Sequence, residues 1–88
     1  MSEVRVYTIN LRDAYRAPRK KRAKVAIRLI HEFVSRHMKV EYVVIGNDVN
    51  EAVWSRGAEK PPRRLRVKVE KVEEDLAKVS LAEGEDSG

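Results

Sequence analysis

Cysteine is absent from the 88 residues of this chain, which removes disulfides, thiolate metal sites and cysteine nucleophiles together and suits a reducing compartment. Long apolar runs are absent as well. Stretches such as Val43-Val44-Ile45 are far too short to cross a bilayer. Glu3, Arg5 and Arg12 interrupt the N-terminus, so it does not read as a secretory signal. No membrane insertion is expected, and these exclusions point to a soluble, cytoplasmic protein. The phosphate-loop, dinucleotide-binding, zinc-peptidase and nucleophile-elbow patterns are all missing. The two histidines, His31 and His37, stand six positions apart, which puts them on different sides of a helix rather than on one metal-facing edge. His37 falls near the middle of an apolar helix face, where a hydrogen-bonded interior or boundary histidine is the plainer reading. Glu73, Glu74 and Asp75 form a three-acid turn of the kind that water usually solvates. No cofactor, metal site or catalytic residue is therefore expected, and the chain does not read as an enzyme.

What the sequence does contain is positive charge, unevenly spread. Nineteen Lys and Arg against fourteen Asp and Glu give a formal +5. Residues 12–39 hold ten basic and two acidic side chains, a net of +8. Residues 56–71 hold seven and two, a net of +5, whereas residues 73–88 hold one and six, a net of −5. Such a field attracts phosphate polyanions. A solvated basic surface is the bland alternative.

A chain of this length supports one core and hence one domain. Val4 to Leu11 is rich in β-branched residues and predicts a strand. Arg12 to Arg22 follows as a partly irregular basic arm, because Pro18 prevents a continuous helix and disfavours helical geometry at Ala17. From about Arg19 to Lys39, Ala23, Ala26, Ile27, Leu29, Ile30, Phe33, Val34 and Met38 share one helical face, with Lys21, Lys24, Arg28, Glu32, Ser35 and Lys39 opposite. Glu41 to Ile45 predicts a short strand, and Gly46-Asn47-Asp48 a turn and N-cap for a short helix over Val49 to Arg56. Gly57 suits the position after that helix, and Pro61-Pro62 prevents its continuation. Leu65, Val67 and Val69 then alternate with Arg64, Arg66 and Lys68, the mark of a half-buried strand. Ala77, Val79 and Leu81 alternate again beyond the acidic turn, so the last two strands form a hairpin. The fold class expected is α+β: a small sheet of about four strands with a long and a short helix on one side. Residues 1–82 form the domain. Residues 83–88 form a small acidic tail without apolar anchors, expected to be disordered.

Two segments stand out as candidate polyanion contacts. Arg12 and Arg16 lead into Arg19, Lys20, Lys21 and Arg22, a cluster whose mutual repulsion a bound polyanion would relieve. A flexible solubilising arm or a nuclear-import mimic are the weaker readings of that cluster, and Arg28 continues its charge along the helix. The second segment runs from Trp54 through Arg56, Lys60, Pro61 and Pro62 to Arg63 and Arg64, and Arg64, Arg66 and Lys68 share one face of the next strand, which extends the basic surface. The prolines limit loop entropy, so holding arginines against phosphate costs less on binding. The arginine fork accepts two phosphate oxygens at once. Trp54 has two readings, a core anchor or a partner that stacks on a base or ribose.

The stretches VRVYTINLRDAYRAPRKKRAKVAIRLIHEFVSRHMKV and NEAVWSRGAEKPPRRLRVKVEK, which cover most of residues 4–71, resemble the thirty-first large-subunit ribosomal protein family of the archaeal and eukaryotic type. The run NEAVWSRG…KPPRR is the specific part, and the basic arm alone would carry little. The resemblance implies an α+β protein bound to large-subunit rRNA near the rim of the polypeptide exit tunnel. Neighbouring ribosomal proteins and nascent-chain factors would stand close by. The short length and the lack of an N-terminal extension fit an archaeal-type member. The residues by themselves support a compact, basic, noncatalytic RNA binder. A basic protein–protein adaptor remains the alternative, and a DNA-binding regulator a third, although a proline-broken arm before one long helix is not a helix-turn-helix pattern.

Overall fold

The period-2 stretch after the two prolines forms the strand that organises the sheet. In the computed structural model, which describes residues 3–82, the elements are β1 (Glu3–Asn10), α1 (Arg22–Met38), β2 (Tyr42–Ile45), α2 (Asn47–Trp54), β3 (Arg64–Glu73) and β4 (Leu76–Leu81). The four strands make one mixed sheet in the order β1-β3-β4-β2. The β3–β4 hairpin is present, with a register irregularity between Lys71 and Glu73. β3 also pairs antiparallel with β1, from Glu3↔Lys71 to Asn10↔Arg64, and β2 lies parallel to β4. The acidic tail expected over residues 83–88 lies outside the described residues.

Packing follows from periodicity. Ile9 of β1, Val67 and Val69 of β3, and Ala77 and Val79 of β4 turn to one side of the sheet and are buried. Against them α1 buries Ala23, Ala26, Ile30, Val34 and Met38 at spacings of three or four, while α2 buries Val49 and Val53. Both helices therefore pack on one side of the sheet, in a core without a buried polar or charged residue among the described residues. Full burial of each larger aliphatic side chain contributes about 1.5–3 kcal/mol before entropy is counted.

Boundaries shift where local backbone chemistry competes with pattern. Arg19–Lys21 form a separate 3₁₀ turn after Pro18, so α1 begins at Arg22 rather than Arg19. The second helix starts two residues earlier than expected: Gly46 is its N-cap, with Asn47 and Asp48 already in the first turn. This shift corrects one reading of Trp54. With Val49 and Val53 pointing inward, Trp54 is turned about 100° away from the core and is 36% exposed. His37 also differs from its expected interior or boundary place. The buried stripe of α1 runs through Val34 and Met38, which leaves His37 exposed at its side, with Nδ1 2.9 Å from the Phe33 carbonyl oxygen. The C-cap of α1 is Lys39 in the left-handed region (φ 56°), held by its N–H to the Ser35 carbonyl. Ser35 Oγ in turn donates to the Val40 carbonyl at 2.8 Å.

The β2–α2 junction depends on a residue without a side chain. Gly46 N–H donates to the Val79 carbonyl at 2.8 Å. The Asp48 carboxylate accepts from the Val49 N–H at 2.8 Å and the Leu81 N–H at 3.0 Å, fastening α2 to β4. A Cβ at position 46 would lie 2.7 Å from Asp48 Oδ1 and 2.8 Å from the Val79 oxygen. Gly46→Ala is expected to destabilise the protein by about 1–3 kcal/mol, the usual range for forced overpacking. Thermal unfolding followed by circular dichroism measures it; an unchanged midpoint would mean that the junction relaxes freely.

Candidate nucleic-acid interface

The β1–β3 ladder does not stop at the ends of its strands. Leu11 N–H donates to the Arg63 carbonyl at 2.7 Å, so the start of the basic arm is bonded to the end of the proline loop. Arg12–Arg16 form a 3₁₀ helix that buries Ala14. That turn lays Tyr15 against the loop, where its hydroxyl donates to the carbonyl of the buried Pro61 at 2.5 Å. The arm is thus less irregular than its composition suggests.

Two arginines flank the Tyr15 ring. The guanidinium carbons of Arg22 and Arg63 stand 4.9 and 5.0 Å from its centroid, within the range where the ring quadrupole attracts a cation. Arg22 Nε also donates to the Ala17 carbonyl at 3.2 Å, and its Nη1 to the Glu59 carbonyl at 3.4 Å. Ala23 N–H donates to the Ala58 carbonyl at 2.9 Å, joining the first turn of α1 to the same loop. Gly57, at φ 91°, takes the left-handed conformation that lets the chain leave α2 for this loop. Tyr15 carries no periodicity signal, and reading the sequence missed it. The available signal was a lone aromatic residue placed between Arg12 and Arg16 in an otherwise basic arm.

Together these contacts build an open cleft of about 730 Å³ lined by Tyr15, Arg22, Arg56, Lys60, Pro61, Pro62 and Arg63, with Ala52, Ser55 and Leu65. Lys20 joins Arg56 and Lys60 around a second depression over Gly57 and Glu59. Arg12 and Arg16 line a different hollow with Asn10 and Asp13, and Asp13 stands 3.9 Å from Arg16. Arg64 and Arg66 project from β3 opposite Asn10 and Thr8 of β1, on the sheet face away from the helices. Arg19 and Lys21 are exposed in the 3₁₀ turn, and Arg28 is exposed on α1. Neither the cleft nor the second depression takes in these three, or Trp54.

Electrostatically the surface is open. Among the described residues the ion pairs are Arg5–Glu3 and Arg16–Asp13, so the cations around Tyr15 meet no carboxylate within pairing distance. The exposed Arg63 guanidinium, with one face on the Tyr15 ring, is suited to charge-assisted hydrogen bonds with phosphate oxygens, whereas Arg22 is half-buried and spends Nε and Nη1 on backbone carbonyls. Among the described residues no group of three His, Asp or Glu could hold a metal ion, and no helix is long and apolar enough to cross a membrane.

Comparison with known proteins finds sequence similarity over nearly the whole chain. The family model described as ribosomal protein L31e matches residues 2–78. A protein of Methanopyrus kandleri named large ribosomal subunit protein eL31 is 52% identical over 86 residues, spanning 94% of this chain and all of that protein. Proteins with the same name are 56% identical over 81 residues in Pyrobaculum neutrophilum, covering 90% of this chain and 89% of the relative. In Methanocaldococcus jannaschii the figures are 50% over 84 residues, with 94% and 95% covered. The chain belongs to the ribosomal protein L31e family, and is accordingly a structural ribosomal protein of archaeal type rather than an enzyme.

Proposed function

We propose that this chain is a constituent of the large ribosomal subunit in the cytoplasm, where it binds and braces large-subunit rRNA through the basic surface gathered around Tyr15. One observation carries the reading: residues 46 positions apart meet at the Tyr15–Pro61 hydrogen bond, and the cations they assemble have no acidic partner among the described residues. Part of the arrangement holds the arm to the loop, but the exposed cations around it gain nothing from the fold, whereas a phosphate backbone neutralises them and releases counterions. In this reading Arg22, Arg56, Lys60 and Arg63 grip the RNA backbone in the cleft. Arg12, Arg16, Arg19, Lys20 and Lys21 extend the contact along the arm, Arg28 along α1, and Arg64 and Arg66 around the edge of the sheet. Trp54, exposed beside the loop, is free to stack on a base or ribose. Residues 1–82 act as the RNA-binding domain. Neighbouring ribosomal proteins complete the surroundings, and the family resemblance adds a position near the polypeptide exit tunnel, close to nascent-chain factors.

The first test is salt. Binding of the full chain to protein-free large-subunit rRNA is expected to weaken steeply between 50 and 200 mM salt, as phosphate neutralisation requires. Affinity that did not change over that range would favour an adaptor for acidic proteins instead.

A second comparison separates the two basic segments. Replacing Arg56, Lys60, Arg63 and Arg64 together with Gln is expected to weaken rRNA binding more than replacing Lys21, Lys24, Arg28 and Lys39. Both variants lose four charges, and if all four meet phosphate the salt slope falls by about 3. The first set lies on a restricted loop and strand; the second consists of long side chains on and beside α1 that must be ordered on binding. Equal or greater loss in the second variant would make the helix the main anchor.

Tyr15 offers the finest control. Tyr15→Phe keeps the ring beneath Arg22 and Arg63 and loses only the bond to Pro61, a cost of about 1 kcal/mol in stability. Tyr15→Ala removes the ring as well, and the freed arginines are expected to cost a further 1–3 kcal/mol or so in rRNA affinity. Isothermal titration of the two variants, after checking that both are folded, reads the difference. Equal affinities would show that the ring does not preorganise the cleft.

A further inference from the structure

At the other end of α1 a second group of side chains is built for contact and has no role in the cleft. The His37 ring stacks on Phe33 with centroids 3.9 Å apart and an interplanar angle of 18°. Tyr7 of β1 meets both rings edge-on, at 5.2 Å from Phe33 and 5.5 Å from His37. The Tyr7 hydroxyl lies 3.6 Å from Met38 Sδ, which ties the cluster to the core. The imidazole is therefore held on three sides. Phe33 covers one face, Tyr7 bounds an edge, and Nδ1 lies 2.9 Å from the Phe33 carbonyl oxygen, where it can only donate. Yet His37 itself is exposed, and what remains open is the ring face away from Phe33, together with Nε2.

The charges around this patch are mixed, because Glu41 stands just after Lys39 and Val40, and its N–H donates to the carbonyl of Asp75 in the acidic turn at 3.1 Å. Arg36 precedes His37 and is exposed, as is Lys39 one turn on. Arg5, two residues before Tyr7 on β1, is held by Glu3 at 2.6 Å.

We infer that the open face of His37 is a stacking site for an unpaired nucleobase, with Arg36 and Lys39 placed for the flanking phosphates. The inference rests on the RNA-binding reading of the chain but concerns a different site. Three features favour a flat π ligand over an apolar protein segment. The exposed element is a plane, already the outer member of a stack that a third ring would extend. It is immobilised before binding, so little side-chain entropy is lost. Arg36 and Lys39, exposed at the same end of the helix, offer cations to the phosphates on either side of a splayed base. Arg22 and His37 are fifteen residues apart on one helix, about 22 Å at 1.5 Å per residue. The base would therefore come from a segment of RNA other than the one in the Tyr15 cleft.

The test uses the full-length protein and protein-free large-subunit rRNA extracted from archaeal ribosomes, with His37→Ala and His37→Phe as variants. Stacking predicts that His37→Ala loses about 5- to 100-fold in affinity with an unchanged salt slope, because no charge contact is lost. His37→Phe should stay within about threefold of the parent. Thermal unfolding of the three proteins guards against a merely structural effect, and affinities are compared at a temperature where all are folded. The inference is overturned if His37→Ala binds as the parent does, if its salt slope falls, or if His37→Phe loses as much as His37→Ala. Parent-like rRNA binding by His37→Ala with impaired retention in assembled large subunits would overturn it too, and assign the patch to a protein neighbour. Failure of the parent itself to bind rRNA would overturn the RNA-binding reading, and this inference with it.

Discussion

The β1–β3 ladder is the constraint on which the rest of the molecule depends. It runs unbroken from Glu3↔Lys71 to Asn10↔Arg64 and is prolonged by the Leu11–Arg63 hydrogen bond. Its register is not negotiable. A slip of one residue would turn Val67 and Val69 to solvent and drive Arg66 and Lys68 into an apolar core. With the register set by burial, the chain must leave β1 at the point where the proline loop enters β3. The 3₁₀ turn after Leu11 then has only a short reach to bring Tyr15 onto Pro61. The basic surface is thus a by-product of core formation in its position, although not in its composition.

That dependence explains how the cations around Tyr15 stand together without an acidic partner among the described residues. Guanidiniums crowded on one side repel each other, and a floppy arm would relieve the repulsion by spreading into water. Here the backbone is tied at Leu11, Ala23 and Pro61, and the Tyr15 ring offsets part of the repulsion by lying against Arg22 and Arg63. Arg63 stays exposed, and the half-buried Arg22 recovers hydrogen bonds on the Ala17 and Glu59 carbonyls, so little uncompensated desolvation opposes the arrangement. A polyanion that bound the folded arrangement more tightly than the unfolded chain would add to stability by mass action, in proportion to that difference. A domain this small, with a core of mostly Val, Ile and Ala, benefits from such a partner.

The elements themselves were legible in the sequence because each rests on local periodicity: the alternation through Leu65, Val67 and Val69, the 3.6-residue recurrence through Ala26, Ile30 and Val34, the break at Pro61-Pro62. Sheet order was not, since the pairing of β1 with β3 joins residues far apart in the chain, and nothing in either strand names its neighbour. The misplaced residues have a common cause. Trp54 and His37 each lie one position beyond a buried residue or one before it, and a rotation of about 100° separates core from solvent on a helix. A start shifted by two residues at α2, or an apolar stripe drawn slightly too wide on α1, is enough to move an aromatic ring from inside to outside. Tyr15 escaped for a different reason. Its role comes from tertiary contacts with residues around position 60, and a single aromatic in a basic arm has no period to betray it.

A protein that only neutralises phosphate has no need of a fold, because a disordered basic tail does so with less chain. The proposed bracing would be a stricter demand: two points on the protein must keep their separation under load from RNA. In this chain the element able to do so is α1. Its first turn is fastened to the loop through Ala23 and Arg22, and its last is fastened to the sheet through Met38, against which the Tyr7 hydroxyl packs. Between them the buried stripe from Ala26 to Val34 lies on the strands, so bending the helix would open the core. The cations of the cleft and the aromatic stack at the far end are therefore held at a separation set by helix geometry rather than by side-chain flexibility. Folding, on this view, supplies distance as well as charge.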